Sequence, residues 1–186
     1  GTSLHRDRAI FPANSFKSIE YAIDGLDADG VEIDVQITKD TVMVLFHDPF
    51  LNQSSNWEGC ISDYTFKELQ ELPLDYSKYR IAALSEVLIF IKSRKKKVYL
   101  DTKIFDYCSN ALVDQTKFQI ALDKAINEAQ IVDFQNIMLG LLDINYLNSI
   151  NYPNKCYESS NVKNTVDQAL LYGIENVLFE KDLINK

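Results

Sequence analysis

Residues 31 to 48, VEIDVQITKDTVMVLFHD, first alternate between apolar and polar and then turn almost wholly apolar. Val31, Ile33, Val35 and Ile37 take turns with Glu32, Asp34, Gln36 and Thr38, the period-two pattern of a strand with two unlike faces. After Lys39 and Asp40, Val42 to Phe46 form a second apolar strand that ends on His47 and Asp48. Elsewhere the period lengthens. Phe16, Ile19, Ile23 and Leu26 recur at helical spacing behind Pro12-Ala13-Asn14-Ser15, which predicts a helix ending near Asp29-Gly30. Thr65 and Glu68 have the form of a capping box that opens a short helix through Leu72, stopped by Pro73. Residues 84 to 92 read as helix and 98 to 103 as strand. A long amphipathic helix over 113 to 130 precedes a strand at 137 to 142. A helix at 166 to 172 and a strand at 174 to 179 follow.

With a further strand placed before Pro12, strands and helices alternate along most of the chain. That order favours a parallel sheet with helices outside it, as an α/β barrel or a doubly wound sheet. No glycine-rich phosphate loop follows the first strand, which lowers the nucleotide-binding readings. In a barrel, chemistry collects at the C-terminal rim of the strands. The polar residues sit at such strand ends: His5-Arg6, Glu32 and Asp34, His47-Asp48, and Asp101 with Lys103. There is no internal repeat and no low-complexity linker, so residues 1–186 are expected to form a single domain.

Composition narrows the function classes. The chain is 46% hydrophobic and 25% charged, values of a folded globular protein. A net charge of -8 opposes a nucleic-acid or anionic-membrane surface, since a polyanion needs a basic footprint. The one basic cluster, Arg94 to Lys97, reads as a solvated turn between a helix and a strand. No apolar run reaches the roughly 18 residues of a transmembrane helix. No signal-peptide pattern is read, and a start at Gly1 suits a mature or trimmed chain. Cys60, Cys108 and Cys156 are widely spaced and odd in number, and suggest neither a metal site nor a disulfide framework. They leave the redox compartment open, with a secreted or periplasmic location favoured over a cytoplasmic one. Nothing in the sequence bears on oligomeric state.

Glu32 and Asp34, at i and i+2, leave one strand face about 6.6 Å apart, which suits two oxygen ligands of one hard divalent cation. The bland reading of such a pair is an amphipathic edge strand facing solvent. The chain has only two histidines, and both fall at predicted strand ends beside polar groups. Imidazole, with a reference pKa of about 6.5, can give or take a proton at neutral pH. Asp48 can orient His47 or simply begin a turn with Pro49. Asp101 and Lys103 repeat the i, i+2 spacing, as a third carboxylate and a charge for a phosphate oxygen or as a salt-bridged strand end.

Taken together, LHRDRAIFPANSF, GVEIDVQITKDTVMVLFHDPFLNQSSN and VYLDTK resemble three signature regions of the glycerophosphodiester phosphodiesterases, in order and at plausible spacing. The family pattern is roughly A-H-R-G…P-E-N-T, G-x-E-x-D-V-x-x-T-x-D-x-x-x-V-x-x-H-D and E-x-K. The resemblance implies a TIM (β/α)8-type barrel that hydrolyses glycerophosphodiesters to glycerol 3-phosphate and an alcohol with one divalent cation, Mg²⁺ or Ca²⁺. By motif, it implies His5 and His47 as the acid/base pair and Glu32, Asp34 and Asp101 as metal ligands. Arg6 and Lys103 would hold the substrate phosphate.

The chain departs from the pattern in four places. Asp7 stands where the family has glycine, replacing backbone freedom with a negative charge. Ala13 replaces the glutamate of P-E-N-T, and Asp101 replaces a glutamate with a carboxylate one methylene shorter. A complete barrel typically takes about 250 residues and at least about 200. At 186 residues the barrel is expected to be incomplete at its C-terminal end, with open strands, residues beyond Lys186 or a partner filling the gap. These departures support an alternative, a weakened barrel that binds phosphodiesters or sugar phosphates without turnover. A third reading is a related barrel lipase of the sphingomyelinase D or phosphoinositide-specific type.

Overall fold

A computed structural model describes residues 10–74, 77–159 and 162–179. Five parallel strands form the body of one sheet: β1 (Gly30–Ile37), β3 (Lys97–Thr102), β6 (Ile137–Leu141), β7 (Lys155–Ser159) and β8 (Asn176–Phe179). A sixth, β2 (Met43–Leu45), pairs antiparallel with β1, and the sheet order is β2-β1-β3-β6-β7-β8. Helices α3 (Leu84–Arg94), α4 (Gln115–Glu128), α5 (Ile144–Ser149) and α6 (Val162–Leu171) alternate with the parallel strands. Two shorter helices, α1 (Phe16–Glu20) and α2 (Phe66–Leu69), belong to the first half of the chain. This is the α/β arrangement of a TIM-type barrel, present as an open arc among the described residues.

The alternation in β1 decides which way the arc faces. Ile33, Val35 and Ile37 are buried in the main core with Val98 and Leu100 of β3, Leu88 and Ile91 of α3, and Phe118 and Leu122 of α4. The opposite faces of β1 and β3 carry Glu32, Asp34 and Gln36, and Tyr99 and Asp101. Apolar burial against the helices therefore turns the polar residues toward the concave side. A smaller core, from Val44 and Phe46 through Leu51, Ile61, Leu69 and Ile81, supports the long connection between β2 and α3.

Four sequence expectations shift. The first helix does not continue to Leu26 as α-helix. It widens into a π-helical turn over Tyr21–Gly25, where the Leu26 N–H donates five residues back to the Tyr21 carbonyl at 3.0 Å. The wider turn breaks the 3.6-residue phase and leaves Leu26 exposed. The α2 helix ends at Leu69 rather than Leu72, although its Thr65/Glu68 capping box forms as expected. Helix α5 and strand β7 lie between the expected strand at 137 and the expected helix at 166. Neither carries a long apolar period, and packing on β6 holds both. The run Arg94 to Lys97 is a turn with Lys95 in the left-handed conformation (φ 53°), but Arg94 and Lys96 are paired with Asp24 and Asp27.

The cysteines need a correction. Cys60 and Cys108 form a disulfide across 48 residues, with Cα atoms 6.0 Å apart, and Cys156 is buried as a free thiol. Sequence spacing concealed the pair because Cys60 lies in the connection after β2. Cys108 lies in a small hairpin of β4 (Phe105–Asp106) and β5 (Ala111–Leu112) after β3. Only the lateral neighbourship of β1 and β3 brings these loops together. Closing a loop of this length stabilises by about 4 kcal/mol in the chain-entropy model. Cys60→Ser with Cys108→Ser is expected to cost about 2–4 kcal/mol, read as a lower urea midpoint. Wild type in reductant should match the variant; equal midpoints with and without the bridge would contradict this.

Candidate active site

The first rim position comes from β1 and the turn before α1. Asn14 adopts a left-handed backbone (φ 56°), which aims its amide at β1. Its Nδ2 donates to Asp34 Oδ2 at 2.7 Å, while its Oδ1 accepts from the Asp34 N–H at 3.0 Å. Asp34 is thereby held in one rotamer although it is buried. On the next strand Asp101 is its direct register partner. Carboxylate oxygens of Glu32, Asp34 and Asp101 lie within 4.8 Å of one another. Asp101 thus reaches the cluster despite being one methylene shorter than glutamate.

Lys103 supplies the countercharge. Its Nζ donates to Asp34 Oδ1 at 2.9 Å and to Asp101 Oδ2 at 2.6 Å. Burial works against the charge, but the hydrogen bonds it donates to Asp101 and Asp34 outweigh that and raise the ammonium above the ordinary lysine range. Three convergent carboxylates are oxygen donors of the type that a hard divalent ion takes.

The hairpin from β1 to β2 returns the chain toward the level of this cluster. Val35 pairs with Leu45, and the Phe46 N–H donates to the Asp34 carbonyl at 3.1 Å. Gln36, on the same face as Asp34, donates through Nε2 to the carbonyls of Phe46 and Asp48 at 3.0 and 2.9 Å. His47 is bracketed by these anchors. Its Nδ1 lies 2.9 Å from Oδ1 of buried Asp48, whose Oδ2 accepts from the Ser54 hydroxyl. In the neutral ring a carboxylate partner calls for the proton on Nδ1, which leaves Nε2 as the acceptor nitrogen of this exposed side chain.

A fourth carboxyl lies deeper in the arc. The Tyr99 hydroxyl donates to Glu158 Oε1 at 2.6 Å. This contact passes over Gly140 of β6, where an added Cβ would lie 2.0 Å from Tyr99 Oη and 2.4 Å from Glu158 Oε1. Burial pushes the Glu158 carboxyl up. Asp101 and Glu32 add to the shift, while Tyr99 and Lys103 oppose it. Burial and the Glu158 contact likewise raise the Tyr99 phenol, keeping it a donor.

A family model described as the glycerophosphoryl diester phosphodiesterase family matches residues 7–148. The chain belongs to the glycerophosphoryl diester phosphodiesterase family. A glycerophosphodiester phosphodiesterase of Bacillus altitudinis is 34% identical over 138 residues, covering 70% of this chain and 56% of that protein. Another, from Caldanaerobacter subterraneus, is 33% identical over 106 residues, covering 53% and 43%. The chain spans about half the length of these curated relatives. Among solved structures, a phosphodiesterase of Oleispira antarctica in complex with the product sn-glycerol-3-phosphate superposes with a TM-score of 0.75. It is 17% identical, and the match covers 92% of this chain and 71% of that one. This likeness shows the fold.

Of the expected site residues, the structure brings together Glu32, Asp34, Asp101 and Lys103, and holds His47 on the adjoining hairpin. His5 and Arg6, with Asp7, lie outside the described residues. Three residues escaped sequence reasoning. Asn14 stands at the asparagine of the P-E-N-T pattern, and Gln36 shares a strand face with Asp34, so both had a signal. Glu158 had none, because β7 was not predicted.

Two predictions follow from the charges. Lys103→Met leaves Asp34 and Asp101 repelling each other and is expected to cost about 1–3 kcal/mol in EDTA. Millimolar Ca²⁺ should recover most of it; urea unfolding in the two buffers reads the difference, and equal losses would contradict the shared countercharge. Glu158 has a folded pKa above its unfolded value, so its contribution is most favourable below the ordinary range near 4.5 and fades as pH rises through the folded pKa. Glu158→Gln should raise the urea midpoint at pH 7.5 and leave it nearly unchanged at pH 4. A midpoint lowered at pH 7.5 would mean that the carboxylate form is the stabilising one.

Proposed function

We propose that this chain carries the catalytic rim of a phosphodiesterase that hydrolyses glycerophosphodiesters to glycerol 3-phosphate and an alcohol. The observation that carries the reading is the convergence of Glu32, Asp34 and Asp101 with Lys103 between Asp34 and Asp101, and a histidine oriented by Asp48 on the adjoining hairpin. The product complex of the Oleispira antarctica phosphodiesterase supports the choice of substrate. Glu32, Asp34 and Asp101 would hold a divalent cation, Mg²⁺ or Ca²⁺, which supplies positive charge against the phosphate when bound. Lys103 and Arg6 then hold phosphate oxygens, and Asn14 keeps Asp34 in place.

The reaction forms a P–O bond to an oxygen nucleophile and breaks the P–O bond to the alcohol. His47 and His5 divide the two proton movements. One takes the proton of the attacking water, or of a glycerol hydroxyl whose cyclic phosphate water then opens in a second step, and the other gives a proton to the departing alkoxide. Asp48 stabilises the imidazolium that forms on His47. The Cys60–Cys108 bridge supports a location in an oxidising compartment, secreted or periplasmic.

Glycerophosphocholine with Mg²⁺ or Ca²⁺ is the test substrate, with glycerol 3-phosphate and choline measured as products. We expect turnover that EDTA removes, and a loss of about 10²- to 10⁴-fold in His47→Ala with the fold intact by circular dichroism. Binding of glycerol 3-phosphate without turnover by either metal form would replace this reading with a binding-only barrel.

A further inference from the structure

Five apolar side chains stand unusually exposed beside this site. Phe50, Phe105, Tyr107, Leu112 and Leu142 are between 38% and 67% exposed. Single exposed apolar residues are ordinary, but a contiguous group at a cleft marks a binding surface. Here the rings are mutually packed, with Tyr107 centred 4.9 Å from Phe105 and 6.0 Å from Phe50 in edge-to-face contacts.

The group is also held in place. The β4–β5 hairpin that carries Phe105, Tyr107 and Leu112 begins two residues after Lys103. Cys108 at its tip is bridged to Cys60. Between them Asp106 accepts from the Ser62 and Ser109 hydroxyls at 2.9 and 2.8 Å and from the Cys108 N–H at 3.0 Å. Those bonds outweigh its burial and keep the carboxyl below the usual carboxylate range, so the tie is charge-assisted. A hairpin of two-residue strands would otherwise be marginal. The bridge and Asp106 make it a rigid wall.

That wall bounds a cleft of about 530 Å³. Asp101 and Lys103 line the cleft together with Phe105, Tyr107, Leu112 and Leu142. The size lies within the range of small-molecule sites, about 300–1,000 Å³. Continuity identifies the occupant. Lys103 lines the same cleft as the apolar walls, so a phosphodiester held there has those walls beside it, and of the two acidic lining residues Asp101 is paired with Lys103 while Asp143 caps α5. We propose that this cleft receives the acyl chain of a monoacyl glycerophosphodiester, making a lysophospholipid a better substrate than the deacylated diester. The proposal rests on the phosphodiesterase reading for its phosphate end and on the apolar cleft for its selectivity.

The test compares hexanoyl lysophosphatidylcholine, below its micellar concentration, with glycerophosphocholine. Burying one methylene is worth about fourfold in affinity, so a half-buried hexanoyl chain is expected to raise kcat/KM about tenfold or more. Phe105→Ser with Tyr107→Ser, and separately Leu142→Ser on the facing wall, should bring the ratio to within about twofold of unity. Because the readout is a ratio, a loss common to both substrates cancels. A wild-type ratio near one, or a ratio that neither variant moves, overturns the proposal. Calorimetric binding of hexylphosphocholine against phosphocholine examines the cleft without turnover. A hexyl preference that the variants abolish supports the cleft even if neither diester is hydrolysed, in which case the proposed activity alone fails. Equal affinities overturn the cleft, and so does binding seen only with vesicles of the lipid, which would make the patch a membrane-docking face.

Discussion

The ammonium of Lys103 lies between Asp34 and Asp101, and the concave side of the sheet depends on that contact. Two carboxylates one strand apart, one of them buried, repel each other and lose hydration, and a positive partner bonded to both offsets these costs. Lysine answers both at once, and its own burial is tolerated because two acids share it. The same three carboxylates are the oxygen donors proposed above for a divalent ion.

Around that contact the structure is a set of positioning devices. Asn14 in a strained left-handed turn grips Asp34 by both its carboxylate and its N–H. Gln36 secures the carbonyls either side of His47 from below. The antiparallel turn of β2 is what lets these meet. Only a few residues separate β1 from β2, too few for a crossover, so the second strand must run back alongside the first. His47 consequently stands near the level of Asp34 instead of one strand length away. The disulfide works at the next level out, joining the loop beyond His47 to the hairpin beyond Lys103.

Gly140 shows the tightness of the interior. Only a residue without a side chain lets Tyr99 reach across β6 to Glu158. The arc is therefore filled by a hydrogen-bonded pair at its floor and by a paired charge cluster above it. Its helices cover the other face with aliphatic residues.

Much of this was legible in the residues themselves. Alternation along 31 to 37 sorts Ile33 and Val35 from Glu32 and Asp34 whatever the tertiary fold, since successive side chains on a strand must point to opposite faces. The same rule pairs Asp101 with Lys103, and motif spacing marks His47. The capping box at Thr65 and the helix at 84 were visible because their signals are local. What tertiary structure decided are the relations that strand order creates. Glu32 and Asp34 meet Asp101 because β1 and β3 are neighbours, 67 residues apart from Asp34 to Asp101 in sequence but in direct register. Cys60 finds Cys108 for the same reason. Glu158 and β7 were hidden because a short polar strand has no period of its own and exists by pairing with its neighbours. Which polar face becomes a site was likewise decided in three dimensions, by helices burying the opposite faces of β1 and β3 and by the register that sets Asp34 beside Asp101.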